Sequence, residues 1–317
     1  MTPQPGPAPA APARVVCVGI AVLDRIYRVA SLPDGPGKRF ATGFLEAGGG
    51  PAASAAVAIA RLGGAAALWA RIGDDAAGAA IRAGLVAEHV EAGFLRACPG
   101  ARSVTAAILV DPAGERSIVS DLDPALPTDA AWLPLDQLDR AGALLADCRW
   151  PEGAGAALAA AAARGVPAVL DADTIPDPAA ARPLIALASH VIFSAPGLAQ
   201  ASGTADPQAG LLAMRPRTQA WLAVTLGGAG TLSLEEGGVR HWPARPVAVV
   251  DTTGAGDAFH GAFALALAER QPLAAAIRFA AGAAALACTR PGGRAGLPDR
   301  TELTHFLNAP AQEQERT

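Results

Sequence analysis

The sequence predicts a doubly wound α/β fold, a mostly parallel sheet with helices on both faces that carries a small β-sheet lid. Three observations lead there. Short apolar runs alternate with Ala-rich helical stretches over most of the 317 residues. Two hairpin-like stretches in the first third break that rhythm. Glycine-rich turns open two of the helical stretches, at Gly48-Gly49-Gly50 and Gly254-Ala255-Gly256. One such domain is expected over residues 14–307, with flexible tails at 1–13 and 308–317.

Taken in order, Val15 to Ile20 is an apolar run ending near Asp24, as in a buried parallel strand that delivers a carboxylate at its carboxyl end. Arg25 to Glu46 is mixed and turn-rich, so exposed strands away from the main sheet are expected there. Pro51, behind the three glycines, opens an Ala-rich helix to about Leu62 that Gly63-Gly64 closes. A strand from Ala67 to Ile72 and a helix from Asp74 to about Glu88 follow, the Asp74-Asp75 pair capping that helix. Alternating stretches from Ser103 to Val110 and Arg116 to Ser120, split by the turn at Asp111 to Gly114, complete a lid drawn from residues 25–47 and 103–121. Strands are then expected at Leu144–Ala146, Ala168–Leu170, Val191–Phe193, Leu222–Leu226, Thr231–Leu234 and Val247–Val250. Helices are expected at Ala154–Arg164, from Gly254 to about Glu269, and at Leu273–Thr289.

Composition narrows the function. A net charge of −4 gives no basic field for nucleic acid or an anionic membrane. Cys17, Cys98, Cys148 and Cys288 form no CxxC pair and read as thiols of a reducing compartment, and no two of the five histidines stand at i, i+4. The N-terminal stretch lacks the basic and apolar regions of a signal peptide. The longest uncharged stretch, Leu184 to Ala205, is interrupted by His190, Pro196 and Gln200, so a cytoplasmic protein without membrane contact is expected. Lys38 is the only lysine and is followed by Arg39, so ATP, if used, is not held by a P-loop.

The strongest local signal runs from Val247 to Gly261 and includes Asp251-Thr252-Thr253-Gly254-Ala255-Gly256-Asp257. A helix start presents free amides and partial positive charge, and glycines let an anion approach the backbone. Asp257 in the first turn would repel a phosphate unless it works as a base, which is what phosphoryl transfer to an alcohol requires. The plainer reading is an acid that favours the helix dipole. A dinucleotide fingerprint fails, because Phe259 stands where its last glycine belongs and no second strand follows. His260 is read as a packing residue that points elsewhere around the helix.

These residues resemble the C-terminal signature of the PfkB, or ribokinase-like, carbohydrate kinases, and Gly48-Gly49-Gly50 with Ala60-Arg61-Leu62-Gly63 resembles the N-terminal one. Within that family, stretches around Asp24-Arg25-Ile26-Tyr27, Gly48 to Ala53, Arg149-Trp150 and Cys288 to Gly296 are similar to the bacterial 6-deoxy-6-sulfofructose kinases. The resemblance implies Asp257 as catalytic base and Gly254, Ala255 and Gly256 as the anion hole. It implies Thr225, Gly227 and Gly230 beside ATP, together with Gly254 and Gly256. Asp24 is implied as a sugar-hydroxyl acceptor, with Gly48 and Gly49 letting the sugar lie against backbone. A monovalent-cation site such as one for K+ is implied at Asp251, Thr253, Ala287, Arg290 and Gly292. A homodimer through the lid is implied too.

Three positions depart from the family pattern. Ala53 replaces the Asn of the first signature. Ser194-Ala195-Pro196-Gly197 replaces the Asn-x-x-Glu that organises Mg2+, so Mg2+ is expected to travel with ATP. Arg149 replaces an acid. An arginine at the carboxyl end of a parallel strand points into the ligand crevice. With Lys38, Arg25 and Ser120 it is expected to surround an anionic group on a ketose, phosphorylated at C1 in the sulfofructose case. The other reading pairs Arg149 with Asp147, Asp171 or Asp173 and leaves Lys38 a solvated charge. Another sugar or sugar phosphate (fructose 1-phosphate, tagatose 6-phosphate, a ribose type) and a non-catalytic regulator stay open as alternatives.

Overall fold

The computed structural model describes residues 11–174 and 177–310, so the expected tails fall almost wholly outside the described residues. The large sheet has nine strands. Its parallel part comprises β1 (Arg14–Ile20), β4 (Ala65–Gly73), β5 (Leu95–Cys98), β8 (Ala143–Asp147), β9 (Ala168–Ala172), β10 (His190–Ser194) and β11 (Trp221–Thr225). The antiparallel strands β12 (Thr231–Glu235) and β13 (Gly238–Trp242) finish one edge, giving the order β13-β12-β11-β10-β9-β8-β1-β4-β5. The second sheet comprises β2 (Val22–Arg28), β3 (Gly43–Gly49), β6 (Thr105–Val110) and β7 (Arg116–Asp121), in the order β3-β2-β6-β7.

Alternation along β1 sends Val15 and Cys17 to one face and Val16 and Val18 to the other, and all four are fully buried. On the first face pack α1 (Pro51–Arg61), α2 (Ala76–Ala87), α7 (Ala255–Ala268) and α8 (Leu273–Ala287), with α9 (Arg300–Asn308) against α8. The opposite face carries α3 (Pro151–Arg164), α4 (Pro178–Leu187), α5 (Ala195–Ser202) and α6 (Pro207–Met214). Alanine makes this close packing possible: five of the eight buried α1 residues are alanine, and a Cβ on Gly261 of α7 would lie 2.6 Å from the Ala55 carbonyl oxygen. The helices therefore seat α7 deep in the domain.

Val247 to Val250 is not a strand. Val249 and Val250 are 63% and 60% exposed, and the segment runs as irregular chain into Asp251. Its apolar letters match a buried strand, but Pro243 and Pro246 precede it and no strand among the described residues pairs with it. Among the described residues, no helix is long and apolar enough to cross a membrane. Cys17, Cys98 and Cys148 are buried free thiols and Cys288 is half-buried.

Candidate active site

Gly254 caps α7 in the left-handed region, at φ 74°, and packs against Gly293, whose Cα lies 3.3 Å from where a Cβ on Gly254 would be. The chain can therefore turn sharply and enter the helix at Ala255. The amides of Ala255, Gly256 and Asp257 belong to the turn that has no intrahelical acceptors, although Ala255 still donates to the Thr252 carbonyl at 3.3 Å. Asp257 is half-buried beside them. Its carboxyl is pushed up to about 7, first by burial and then by the neighbouring Asp171, while His260 and Arg294 pull the other way. A carboxyl poised near neutrality beside free amides can accept a proton from an alcohol at physiological pH.

Behind Asp257 the carboxyl ends of the parallel strands gather acids. Asp147 is buried and accepts hydrogen bonds from the amides of Ile20 (3.0 Å), Ala52 (3.1 Å) and Arg149 (2.8 Å), tying the end of β1 to the start of α1. A Cβ on Gly19 would strike that carboxylate. Asp171 is also buried, and its Oδ2 lies 3.4 Å from His260 Nδ1. Burial pushes Asp171 well up and His260 down, so both lean to their neutral forms. His260 stands three residues after the base and shares its helix face. It is buried, with Nδ1 2.8 Å from the Gly256 carbonyl and Nε2 3.3 Å from that of Ile192, which corrects the expectation that it points elsewhere.

Arg149 follows the reading that pairs it internally. One Nη2 arm donates to Asp173 at 2.9 Å, and the other Asp173 oxygen takes the Ser194 hydroxyl at 2.7 Å. Its Nε and Nη1 have no protein partner among the described residues. Two partners expected for an anion clamp lie elsewhere. Arg25 alternates to the lid face opposite Asp24 and pairs with Glu46 at 3.1 Å, because successive strand residues point to opposite faces. Lys38 is exposed in the loop between β2 and β3, 5.4 Å from the ring centre of the exposed Phe40.

Asp24 and Ser120 do share a face. Asp24 pairs with Ala106 and Ala106 with Ser120, so one row of the lid presents both toward the same side. Burial raises the Asp24 carboxyl, and Arg294 opposes that rise. Gly48 and Gly49 leave no room for a side chain. A Cβ on Gly49 would lie 2.1 Å from Asp24 Oδ2, and one on Gly48 would lie 2.0 Å from Arg294 Nη1. The missing side chains at both positions leave room for the Asp24 carboxylate and the Arg294 guanidinium.

Arg294 has no local signal in the sequence. It is 8% exposed and donates to the Gly49 carbonyl at 2.7 Å and to the Ser54 hydroxyl at 3.3 Å. Burial draws it down to about 10, so it stays charged at neutral pH, with Asp257 and Asp24 favouring that charge. Its bonded partners lie 240 and 245 residues away in the chain.

At the positions expected to lie beside ATP, Thr225 ends β11, and Gly227 (φ 56°) and Gly230 (φ 94°) make the tight turn that follows, closed by the Leu226 amide on the Gly230 carbonyl at 2.8 Å. A Cβ on Gly230 would lie 2.1 Å from the Trp242 carbonyl. Asp251 accepts from the Thr253 amide (2.8 Å) and hydroxyl (2.6 Å) and from the Gly292 amide (2.9 Å), which draw its carboxyl down against burial. The carbonyl oxygens of Ala287, Gly292 and Arg290 converge on the bare side of Gly296, 3.0, 3.1 and 3.3 Å from where its Cβ would sit. The Gly292 oxygen also accepts the Gly296 amide at 2.8 Å, so these carbonyls close around Gly296 itself. The Arg290 side chain is turned away and paired with Glu302. Among the described residues, no group of three or more His, Cys, Asp or Glu side chains stands ready to hold a metal.

The pfkB family carbohydrate kinase model matches residues 12–300. A fructokinase from Klebsiella pneumoniae is 33% identical over 319 residues, covering 93% of this chain and 99% of the relative. Among solved structures, a provisionally named ribokinase from Agrobacterium tumefaciens is 38% identical with a TM-score of 0.89, covering 94% of this chain and 98% of that one. The Arabidopsis thaliana ribokinase complexed with ribose and ATP has a TM-score of 0.84 at 26% identity, covering 95% and 100% of the two chains.

Proposed function

Because the chain belongs to the PfkB family of carbohydrate kinases, we propose that it moves the γ-phosphoryl group of ATP to a primary hydroxyl of a ketose, with 6-deoxy-6-sulfofructose, taken at C1, as the first candidate. The observation that carries the reading is Asp257, raised to about 7 at the amide-rich start of α7. Asp257 takes the proton as the sugar oxygen attacks in line. The Gly254-Ala255-Gly256 amides receive the charge on the transferring group. Asp24 and Ser120, in one lid row, hold the sugar on the other side. Mg2+ would be carried by the nucleotide phosphates, whose charge it would neutralise, with no cluster of protein carboxylates among the described residues to hold it. A monovalent cation held by Asp251, Thr253 and the backbone carbonyls of Ala287, Arg290 and Gly292 would steady the loop that Asp251 and Thr253 share with the anion hole.

Support for an acidic ketose comes from the unused donors of Arg149 and from Ser120. The Arg149–Asp173 pair is 32% and 42% exposed on its two sides, and pairs of this kind contribute about 0.2–1 kcal/mol, little enough for an incoming sulfonate to share the guanidinium. The same pair favours a second reading, a neutral ketose or ribose-type sugar, in which Arg149 is already neutralised; the fructokinase and ribokinase relatives accord with it. ADP release measured with sulfofructose, fructose, ribose, fructose 1-phosphate and tagatose 6-phosphate separates the readings. A preference for fructose or ribose overturns the acidic one, and no ADP release with any sugar counts against the ketose assignment. We also take the lid as the surface for a homodimer in the cytoplasm, with Leu45 and Ile118 exposed on one of its faces and Phe44 and Val119 on the other.

A further inference from the structure

The tip of the β6–β7 hairpin is a rigid piece of the lid. Asp111 Oδ1 accepts the amides of Ala113 (2.9 Å) and Glu115 (3.0 Å), and the Gly114 amide returns to the Asp111 carbonyl at 3.0 Å. Arg116 follows that turn as the first residue of β7, fixed by its pairing with Val110. Its guanidinium leaves the lid altogether. Nη2 donates to the Thr252 hydroxyl at 2.7 Å, Nη1 donates to the Thr253 hydroxyl, and Nη1 stands 3.4 Å from Asp251 Oδ1. These partners lie 135 to 137 residues away, directly before Gly254 and the amides of the anion hole.

We propose that Arg116 is a positioning residue, a latch by which the lid grips the start of the anion hole, so that closing over the sugar and setting the phosphate-binding amides are one event. The other edge of the lid is pinned separately, where Arg294 holds the Gly49 carbonyl at the β3–α1 junction. The lid thus has a fixed edge at Gly49 and a releasable one at Arg116. The fork geometry matters, since one planar guanidinium reaches two hydroxyls and a carboxylate that a lysine ammonium could not span. The latch rests on the chain being a sugar kinase and is independent of which sugar it takes.

The test compares the full-length wild type with Arg116→Ala, Arg116→Lys, Thr252→Val and the Arg116→Ala/Thr252→Val double variant, by amide hydrogen exchange in Mg-ATP over residues 105–121 and 251–256. Arg116→Ala should speed exchange about tenfold in both segments, the loss of a charge-assisted fork. Arg116→Lys should fall between, and the double variant should exchange no faster than Arg116→Ala. With the sugar identified by the substrate panel, KM for that sugar should rise while KM for ATP holds. Faster exchange confined to 105–121, with 251–256 unmoved, overturns the latch. Should Arg116→Ala not fold, Thr252→Val carries the same test from the other side. The exchange result decides the latch even if no sugar in the panel is phosphorylated.

Discussion

The two sheets differ in what holds them. Strands of the large sheet are covered on both faces by helices, and β1, β8 and β9 are buried along nearly their whole length. The lid has a core of a few residues, chiefly Val22, Val104, Ala106, Ile108 and Leu126, and leaves Phe44, Leu45, Ile118 and Val119 more than half exposed. Local stability follows buried apolar contact, so the lid opens at lower free energy than the large sheet. The groups that need fixed geometry, Asp257 and the amides around Gly256, sit on the deeply packed α7. Asp24 and Ser120, proposed to face the sugar, sit on the sheet with the smaller core.

The sharpest way to break this division is at the rigid side. Asp257→Asn keeps the shape of the site and removes the proton acceptor, so kcat should fall roughly 10²–10⁴-fold while ATP affinity, measured by calorimetry, is kept. Retained turnover would remove the base assignment.

Next in size is a change where the two regions meet. Gly49→Ala puts a Cβ 2.1 Å from Asp24 Oδ2, and the carboxylate must give way because the strand cannot. The sugar KM should rise about tenfold or more with the melting temperature lowered by a few degrees, an effect of about 1–3 kcal/mol. An unchanged sugar KM would separate Asp24 from the sugar.

Arg294→Gln sharpens the comparison through pH. Activity needs Asp257 ionised, so kcat/KM should rise with pH through about 7. Arg294 favours the charged form of Asp257. Its loss should therefore move the rising limb to higher pH and lower kcat/KM several-fold at pH 6, with the alkaline plateau changed less. A profile that keeps its midpoint and only drops in height would make Arg294 a structural tie to Gly49 and Ser54 alone.

The large sheet was legible because apolar runs bounded by glycine are what burial on two faces requires. Its irregular edges were not: β5 is four residues with two exposed, and β13 carries Arg240 and His241. Val247 to Val250 shows the limit from the other side, an apolar run that has no strand to pair with. In the candidate site, the start of α7 with Gly254, Gly256 and Asp257 was readable because a helix start, its glycines and its acid are neighbours in sequence. Arg294, Asp147 and Asp171 act through partners on other elements, brought together only by the fold. The pleat, which no composition reveals, sends Arg25 away from Asp24 and keeps Ser120 with it.

The smallest effect expected is at Lys38, and it separates two accounts of how the cleft meets an acidic sugar. Lys38 is exposed on the β2–β3 loop, beside the exposed Phe40, so its charge is screened within about a Debye length of 8 Å at physiological salt. A solvated ammonium of this kind is worth under about 1 kcal/mol to any partner. Lys38→Ala should therefore change the KM for sulfofructose less than about fivefold, and Arg149→Met should raise it more, with fructose affected little by either. If Lys38→Ala instead raises the sulfofructose KM a hundredfold and spares fructose, the β2–β3 loop closes onto the sugar's acidic group, and the lid carries part of the specificity assigned above to Arg149 on the large sheet.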